Sequence, residues 1–98
     1  MKITVARIYV TEGSHVHDKI FQRLHDEHKV KGLTMFRGIA GFGKSGETHS
    51  SSLLDMSFDL PVVLEFFDED AHVKKALQSL SDLINSGNVV TFAAELNQ

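Results

Sequence analysis

The chain has no cysteine, which excludes disulfides, thiolate nucleophiles and cysteine-held metals. It has no tryptophan, one tyrosine and one proline among 98 residues. Basic charge is also in short supply. Ten Lys and Arg stand against thirteen Asp and Glu, a net charge of −3 with a pI near 6.0, and this excludes the basic footprint of a duplex nucleic-acid binder. No apolar run approaches the roughly 20 residues of a membrane span. The opening MKITVARIYV lacks the apolar region of a signal peptide, because Thr4 and Arg7 interrupt it. The expected compartment is the cytoplasm, with no membrane insertion.

What is present is the composition of an ordinary soluble globular protein: 42% hydrophobic and 23% charged residues. The length implies one domain, residues 1–98. A chain this short buries only about 60–65% of the surface its unfolded form exposes. Its core is thin, and oligomerisation would bury more.

Residues 2–11 read as a strand rich in β-branched and aromatic side chains. Ser14 is the expected N-cap of a helix carrying Val16, Ile20, Phe21 and Leu24 at helical spacing. That helix is expected to reach about Lys31, with Gly32 as its terminator. Leu33–Phe42 is the second strand and Leu60–Phe67 the third, with Pro61 near its start, where proline is tolerated. Asp68 is the expected N-cap of a second helix, whose apolar face is Val73, Ala76, Leu77, Leu80, Leu83 and Ile84 and whose stop is Gly87. Val89–Leu96 is the fourth strand. The order is β-α-β-β-α-β, an α+β ferredoxin-like sandwich.

Alternate strand residues face opposite sides of a sheet. One uncharged set reads Ala6, Ile8, Val10, Phe36, Gly38, Ala40, Val62, Leu64, Phe66, Val90, Phe92, Ala94 and Leu96. It is assigned to the face under the helices. The other set is also largely apolar and includes Ile3, Val5, Tyr9, Met35, Ile39, Val63 and Phe67, with Arg7, Arg37, Glu65 and Glu95 as its charges. A face this apolar points to an oligomer interface in which the charges pair. A partly wet face with surface ion pairs is the alternative.

The stretch Phe36–Asp59 joins the second and third strands, and it holds four of the seven glycines. Connections beyond about 12–15 residues are usually functional or mobile, and residues 44–57 are expected to be the most mobile segment. Two phosphate-binding patterns match here. Gly38 through Lys44-Ser45 fits G-x-x-x-x-G-K-[ST], and Gly41 through Gly46 fits G-x-G-x-x-G. Both patterns need a helix opening directly after the glycines, and Gly46-Glu47-Thr48-His49 followed by three serines is poor helix material. A weaker reading survives, in which glycine N–H groups form an anion nest beside the Lys44 charge and the Ser45 hydroxyl. A hairpin loop with glycines for turn geometry only is equally open.

Of the six histidines, His25 and His28 lie one turn apart and could chelate a metal, but no third ligand is evident. His49 sits in the glycine loop, where it could meet phosphate. Ser50, Ser51 and Ser52 beside His49 do not make a hydrolase, because a nucleophile needs an oriented base and an oxyanion site. No catalytic constellation emerges.

The run Phe36-Arg37-Gly38-Ile39, then Gly41-Phe42-Gly43, His49-Ser50, Leu53-Leu54 and Asp59-Leu60-Pro61-Val62-Val63, resembles an uncharacterised PII-like family related to the nitrogen-regulatory PII signal proteins. The resemblance covers nearly the whole chain. It implies a ferredoxin-like fold, a homotrimer, adenine-nucleotide binding in clefts between subunits, and a flexible 43–58 loop that signals to a protein partner. It brings no catalytic activity and no required cofactor, AMP, ADP or ATP being a ligand. The chain lacks the uridylylation-type tyrosine of some PII loops, so covalent regulation of that kind does not carry over.

On this reading Gly41, Gly43 and Lys44 hold phosphate, with Ser45, Gly46 and His49 near it and Gly38 and Phe42 in the same run. Arg37 is a second phosphate candidate and equally an interface residue. Two other readings are kept: a metal-binding module of the trimeric copper-tolerance type, and a P-loop-like nucleotide hydrolase.

Overall fold

The computed structural model describes residues 1–43, 59–97 and the backbone of residues 48–50. In chain order the elements are β1 (Lys2–Thr11), α1 (Val16–Gln22), β2 (Gly32–Arg37), β3 (Ala40–Phe42), β4 (Thr48–Ser50), β5 (Pro61–Asp68), α2 (Asp70–Ser79) and β6 (Val89–Glu95). Four strands form one sheet in the order β2-β5-β1-β6, each neighbouring pair antiparallel. β3 and β4 form a separate two-stranded ribbon. The expected ferredoxin-like order is therefore present, with the ribbon inserted between its second and third sheet strands.

The core lies between one sheet face and the two helices. Ala6 and Ile8 of β1 and Val62, Leu64 and Phe66 of β5 meet Ile20, Leu24, Val73, Ala76 and Leu80 from the helical layer. Ile20 and Leu24 are four residues apart, as are Val73 and Leu77 and also Ala76 and Leu80, so each pair projects on one helix face. Phe66 is the largest fully buried side chain, and its truncation to alanine would cost about 3–5 kcal/mol.

Several boundaries differ from the sequence expectation. Ser14 does not cap the first helix. Its Oγ donates to the Thr11 carbonyl at 2.7 Å, and His15 precedes the helix in the left-handed region at φ 59°. After Gln22 the helix continues as a π-helical turn, Arg23–His28, and Lys29 at φ 49° ends it three residues before the expected glycine. Gly32 instead opens β2, where a β-carbon would lie 2.2 Å from the Phe67 ring.

α2 ends at Ser79, well before Gly87. Ser79 Oγ donates to the Ala76 carbonyl at 2.7 Å, the kind of local bond that competes with helix continuation. Asp68 belongs to β5, but its carboxylate accepts from the N–H of Glu69, the N-cap residue of α2, at 2.7 Å.

The facing of the two edge strands is the larger correction. Leu33 lies opposite Phe66, Met35 opposite Leu64 and Arg37 opposite Val62, so these β2 residues share the helix-covered face. Phe36, opposite Val63, is on the open face. In β6, Val89 lies opposite Ile8 on the covered face, while Val90 and Phe92 lie opposite Arg7 and Val5 on the open one. The sequence sorting placed both edge strands the other way round, because it kept every charge off the helix side. Arg37 and Glu95 are the last residues of their strands. A charge there reaches partners beyond the helices: Arg37 pairs with Glu12, and Glu95 with the N-terminal ammonium at 3.4 Å.

The second strand is also shorter than expected, since Gly38 and Ile39 separate β2 from β3. The expectation of mobility over 44–57 falls almost wholly outside the described residues. No helix among the described residues is long and apolar enough to cross a membrane.

Candidate functional site

The corrected facing leaves the open side of the sheet strongly apolar. Tyr9 and Phe36 stand exposed on it beside Val63, and Val90 and Phe92 stand exposed on it from β6. Its charges within the sheet strands are Arg7 and Glu65, directly opposite one another and joined by a 2.8 Å bond from Nε to Oε1. That bond is the main cause holding the Arg7 pKa above its usual value. The Arg7 guanidinium also lies 5.0 Å from the centroid of the Phe92 ring.

At one end of this sheet the chain builds a cleft of about 600 Å³. β1 and β2 end there, and β5 and β6 begin there. Tyr9, Val10 and Thr11 contribute from β1, Pro61 and Val63 from β5, and Gly38, Ala40, Gly41, Phe42 and Gly43 from the glycine run. Leu83, Asn85 and Asn88 also line it. Asn85 and Asn88 flank a tight turn closed by a 2.9 Å bond from the Asn88 N–H to the Asn85 carbonyl. Apolar walls with a few amide and hydroxyl groups are the usual make-up of a small-molecule site.

The turn after β1 ties the rim together. The Glu12 carboxylate pairs with Arg37 at the end of β2, and the Glu12 N–H donates to the Leu60 carbonyl at 2.7 Å. The Gly13 N–H donates to Asp59 Oδ1 at 2.7 Å. Both feet of the long loop, Arg37 and Asp59-Leu60, are thus held by one turn. The glycine run is seated by Pro61. The Gly38 N–H donates to the Pro61 carbonyl at 2.7 Å, and a β-carbon at Gly38 or Gly41 would lie 2.8 or 3.3 Å from Pro61 Cγ.

Of the residues singled out from sequence, Gly38, Gly41, Phe42 and Gly43 come together on this cleft. Arg37 stands beside it, engaged with Glu12. The backbone of His49 pairs with Gly41 across the ribbon. Lys44, Ser45 and Gly46 lie outside the described residues.

The glycine run leads into a strand that turns back antiparallel on it. A nucleotide-hydrolysing P-loop instead needs a strand-to-helix junction. His25 Nδ1 contacts Asp26 Oδ1 at 2.7 Å and His28 Nε2 contacts Ser79 Oγ at 2.7 Å, so the helix pair serves two separate partners. Among the described residues no three His, Asp or Glu side chains gather as a cation site.

The sequence reading missed Tyr9, Thr11, Asn85 and Asn88. A signal for the last two was available. Asn85-Ser-Gly-Asn88 is a polar turn entering the last strand at the same end of a ferredoxin-like sheet, and it was used only as a helix stop.

Comparison with known proteins places the chain. The model of the DUF190 family, described as "Uncharacterized ACR", matches residues 1–96. The chain belongs to the DUF190 family. A UPF0166 protein of Aquifex aeolicus (strain VF5) is 32% identical over 84 residues, covering 82% of this chain and 80% of that relative.

Among solved structures, this DUF190 chain is similar to CPII, a nitrogen regulatory PII-like protein from Thiomonas intermedia K12 bound to ADP, AMP and bicarbonate. The TM-score is 0.63 at 16% identity, covering 95% of this chain and 90% of the other. CutA1 from Oryza sativa gives a TM-score of 0.63 at 9% identity, covering 100% and 83%. At such identities the likeness shows a shared fold, and the PII-like resemblance read from the motif is borne out at that level.

Proposed function

We propose that this DUF190 protein is a small cytoplasmic regulatory protein, one domain over 1–98, that binds an adenine nucleotide without turning it over. The observation that carries this reading is the cleft of about 600 Å³, lined by the glycine run together with Asn85 and Asn88. Gly41 and Gly43 let a phosphate approach the backbone, and Lys44, Ser45, Gly46 and His49 follow directly in the chain. The like-folded CPII, which carries ADP and AMP, supports the choice of ligand.

The cleft is completed by a neighbouring subunit. The open sheet face, with its exposed aromatic and branched side chains around one ion pair, suits burial in a homotrimer. Arg37 then has two uses, partner of Glu12 in the free chain and phosphate ligand in the complex. The 43–58 loop carries the signal to a protein partner.

Calorimetry with AMP, ADP and ATP tests the reading. Binding is expected near micromolar strength, about −8 kcal/mol, with no phosphate release on incubation with ATP. Absence of heat with all three nucleotides would overturn it.

A further inference from the structure

Phe42 is 76% exposed although it is a large aromatic residue on the wall of the cleft. The register of its strand explains why. Gly41 presents its side-chain position to Pro61, with a built β-carbon 3.3 Å from Cγ, and successive side chains in a strand project to opposite sides. The Phe42 ring therefore projects away from Pro61, and no described residue buries it. A β-carbon at the next residue, Gly43, would meet nothing within 4 Å among the described residues. Tyr9, 42% exposed, stands on the same cleft from the central strand β1. Ile39 is as exposed as Phe42 but is not among the residues that line the cleft. General apolar exposure at this end of the sheet thus does not account for where the aromatic ring sits.

We propose that Phe42 is the stacking platform for the purine base of the nucleotide, with Tyr9 as a second aromatic wall. This rests on the nucleotide reading above and adds to it the residue that recognises the base. A flat ring is bound by a flat ring at little geometric cost, whereas an aliphatic side chain offers no matching plane. Asn85 and Asn88 line the same cleft, and their amides supply donors and acceptors for the base edge. The glycine run beside Phe42 leaves the phosphates to backbone N–H groups, so base and phosphate are read by adjacent residues of one strand.

The test compares wild type, Phe42→Tyr and Phe42→Leu with ADP by calorimetry and by proton NMR of the bound nucleotide. Leucine keeps apolar bulk and removes the plane, and so exposed a side chain carries little of the fold. Phe42→Tyr should bind as wild type does. Phe42→Leu should lose roughly 5- to 150-fold in affinity, the range for removal of one base–aromatic stack. The adenine H2 and H8 resonances should move upfield on binding wild type, and that ring-current shift should shrink in Phe42→Leu. If wild type binds ADP and Phe42→Leu matches it within twofold, or the shift is the same in both, the platform is overturned while the nucleotide reading stands. If wild type gives no heat with AMP, ADP or ATP, both fall together.

Discussion

Gly38 rests on Pro61, with its N–H donating to the proline carbonyl at 2.7 Å and its missing side chain leaving room for a ring whose Cγ would stand 2.8 Å from a β-carbon. Pro61 is the first residue of β5 and lies opposite Thr11, at the end of the sheet where the cleft opens. The sole proline of the chain therefore sets how the ribbon leaves the sheet.

Gly38→Ala should push the ribbon off this seat. The contact falls on a proline ring and its backbone, neither of which can swing aside, so a loss of about 1–3 kcal/mol is expected. Urea unfolding measures it, and ADP affinity should fall in parallel. An unchanged midpoint with unchanged binding would contradict the seating role.

Val63 lies opposite Tyr9 on one side and Phe36 on the other, in the middle of the open face. Sedimentation should find wild type as a trimer at micromolar concentration. Val63→Asp should dissociate or unfold it, because an unpaired carboxylate buried at an interface costs several kcal/mol. A monomeric wild type would remove the interface.

Lys44→Ala tests the phosphate side of the site. A charge-assisted hydrogen bond contributes about 1.5–3 kcal/mol, so nucleotide affinity should drop by that amount while sedimentation stays unchanged. Equal affinity in the two proteins would move the phosphates away from Lys44.

Asp68 is the one buried charged side chain among the described residues. Its Oδ2 accepts from the Lys31 N–H at 3.1 Å and lies 3.0 Å from His72 Nδ1, while Oδ1 accepts from the Glu69 N–H. It thereby ties the start of α2 to the segment leading into β2. Asp68→Ala should cost about 1.5–3 kcal/mol, the range for a hydrogen bond to a charged group, and amide exchange at Lys31 should speed up. Protection at Lys31 equal to wild type would refute the tie.

Asp82 meets Arg23 through two bonds of 2.7 and 2.9 Å that join the first helix to the turn after α2. The Arg23 hydrogen bonds are the main cause that holds the Asp82 pKa below its usual value. Asp70 is lowered likewise, first by Lys74 and then by Thr4. A lowered folded value means the carboxylate stabilises the fold fully above about pH 4, and this is lost as pH falls through the folded pKa. Asp82→Asn should therefore be less stable than wild type at pH 7, and the gap should close in acid. Both pairs are solvent-exposed, so the differences are small. A gap that widens in acid would reverse the assignment.

Much of this was legible from residues alone. The six main elements and their order follow from local periodicity. The central strands β1 and β5 face as expected, with Ala6, Ile8, Val62, Leu64 and Phe66 in the core; the alternation is uninterrupted in β5, whereas in β1 Ile3 and Val5 are buried as well. The glycine run was identified as the place to look because it is too long and polar for a turn. The edge strands face the other way from the charge pattern, because a charge at a strand end can reach a partner past the helices and so does not mark facing there. Tyr9, Asn85 and Asn88 were missed because their neighbourhood is made by segments some 75 residues apart in the chain.

By itself, then, the sequence determined the fold class, the family-level resemblance and the location of a glycine-rich site, since each depends on spacing within one stretch. The tertiary structure decided which face each edge strand presents, which turn holds the feet of the loop, and which aromatic ring is left uncovered at the cleft. Those depend on register between strands and on close approach of distant backbone, and neither is encoded in any single stretch of residues.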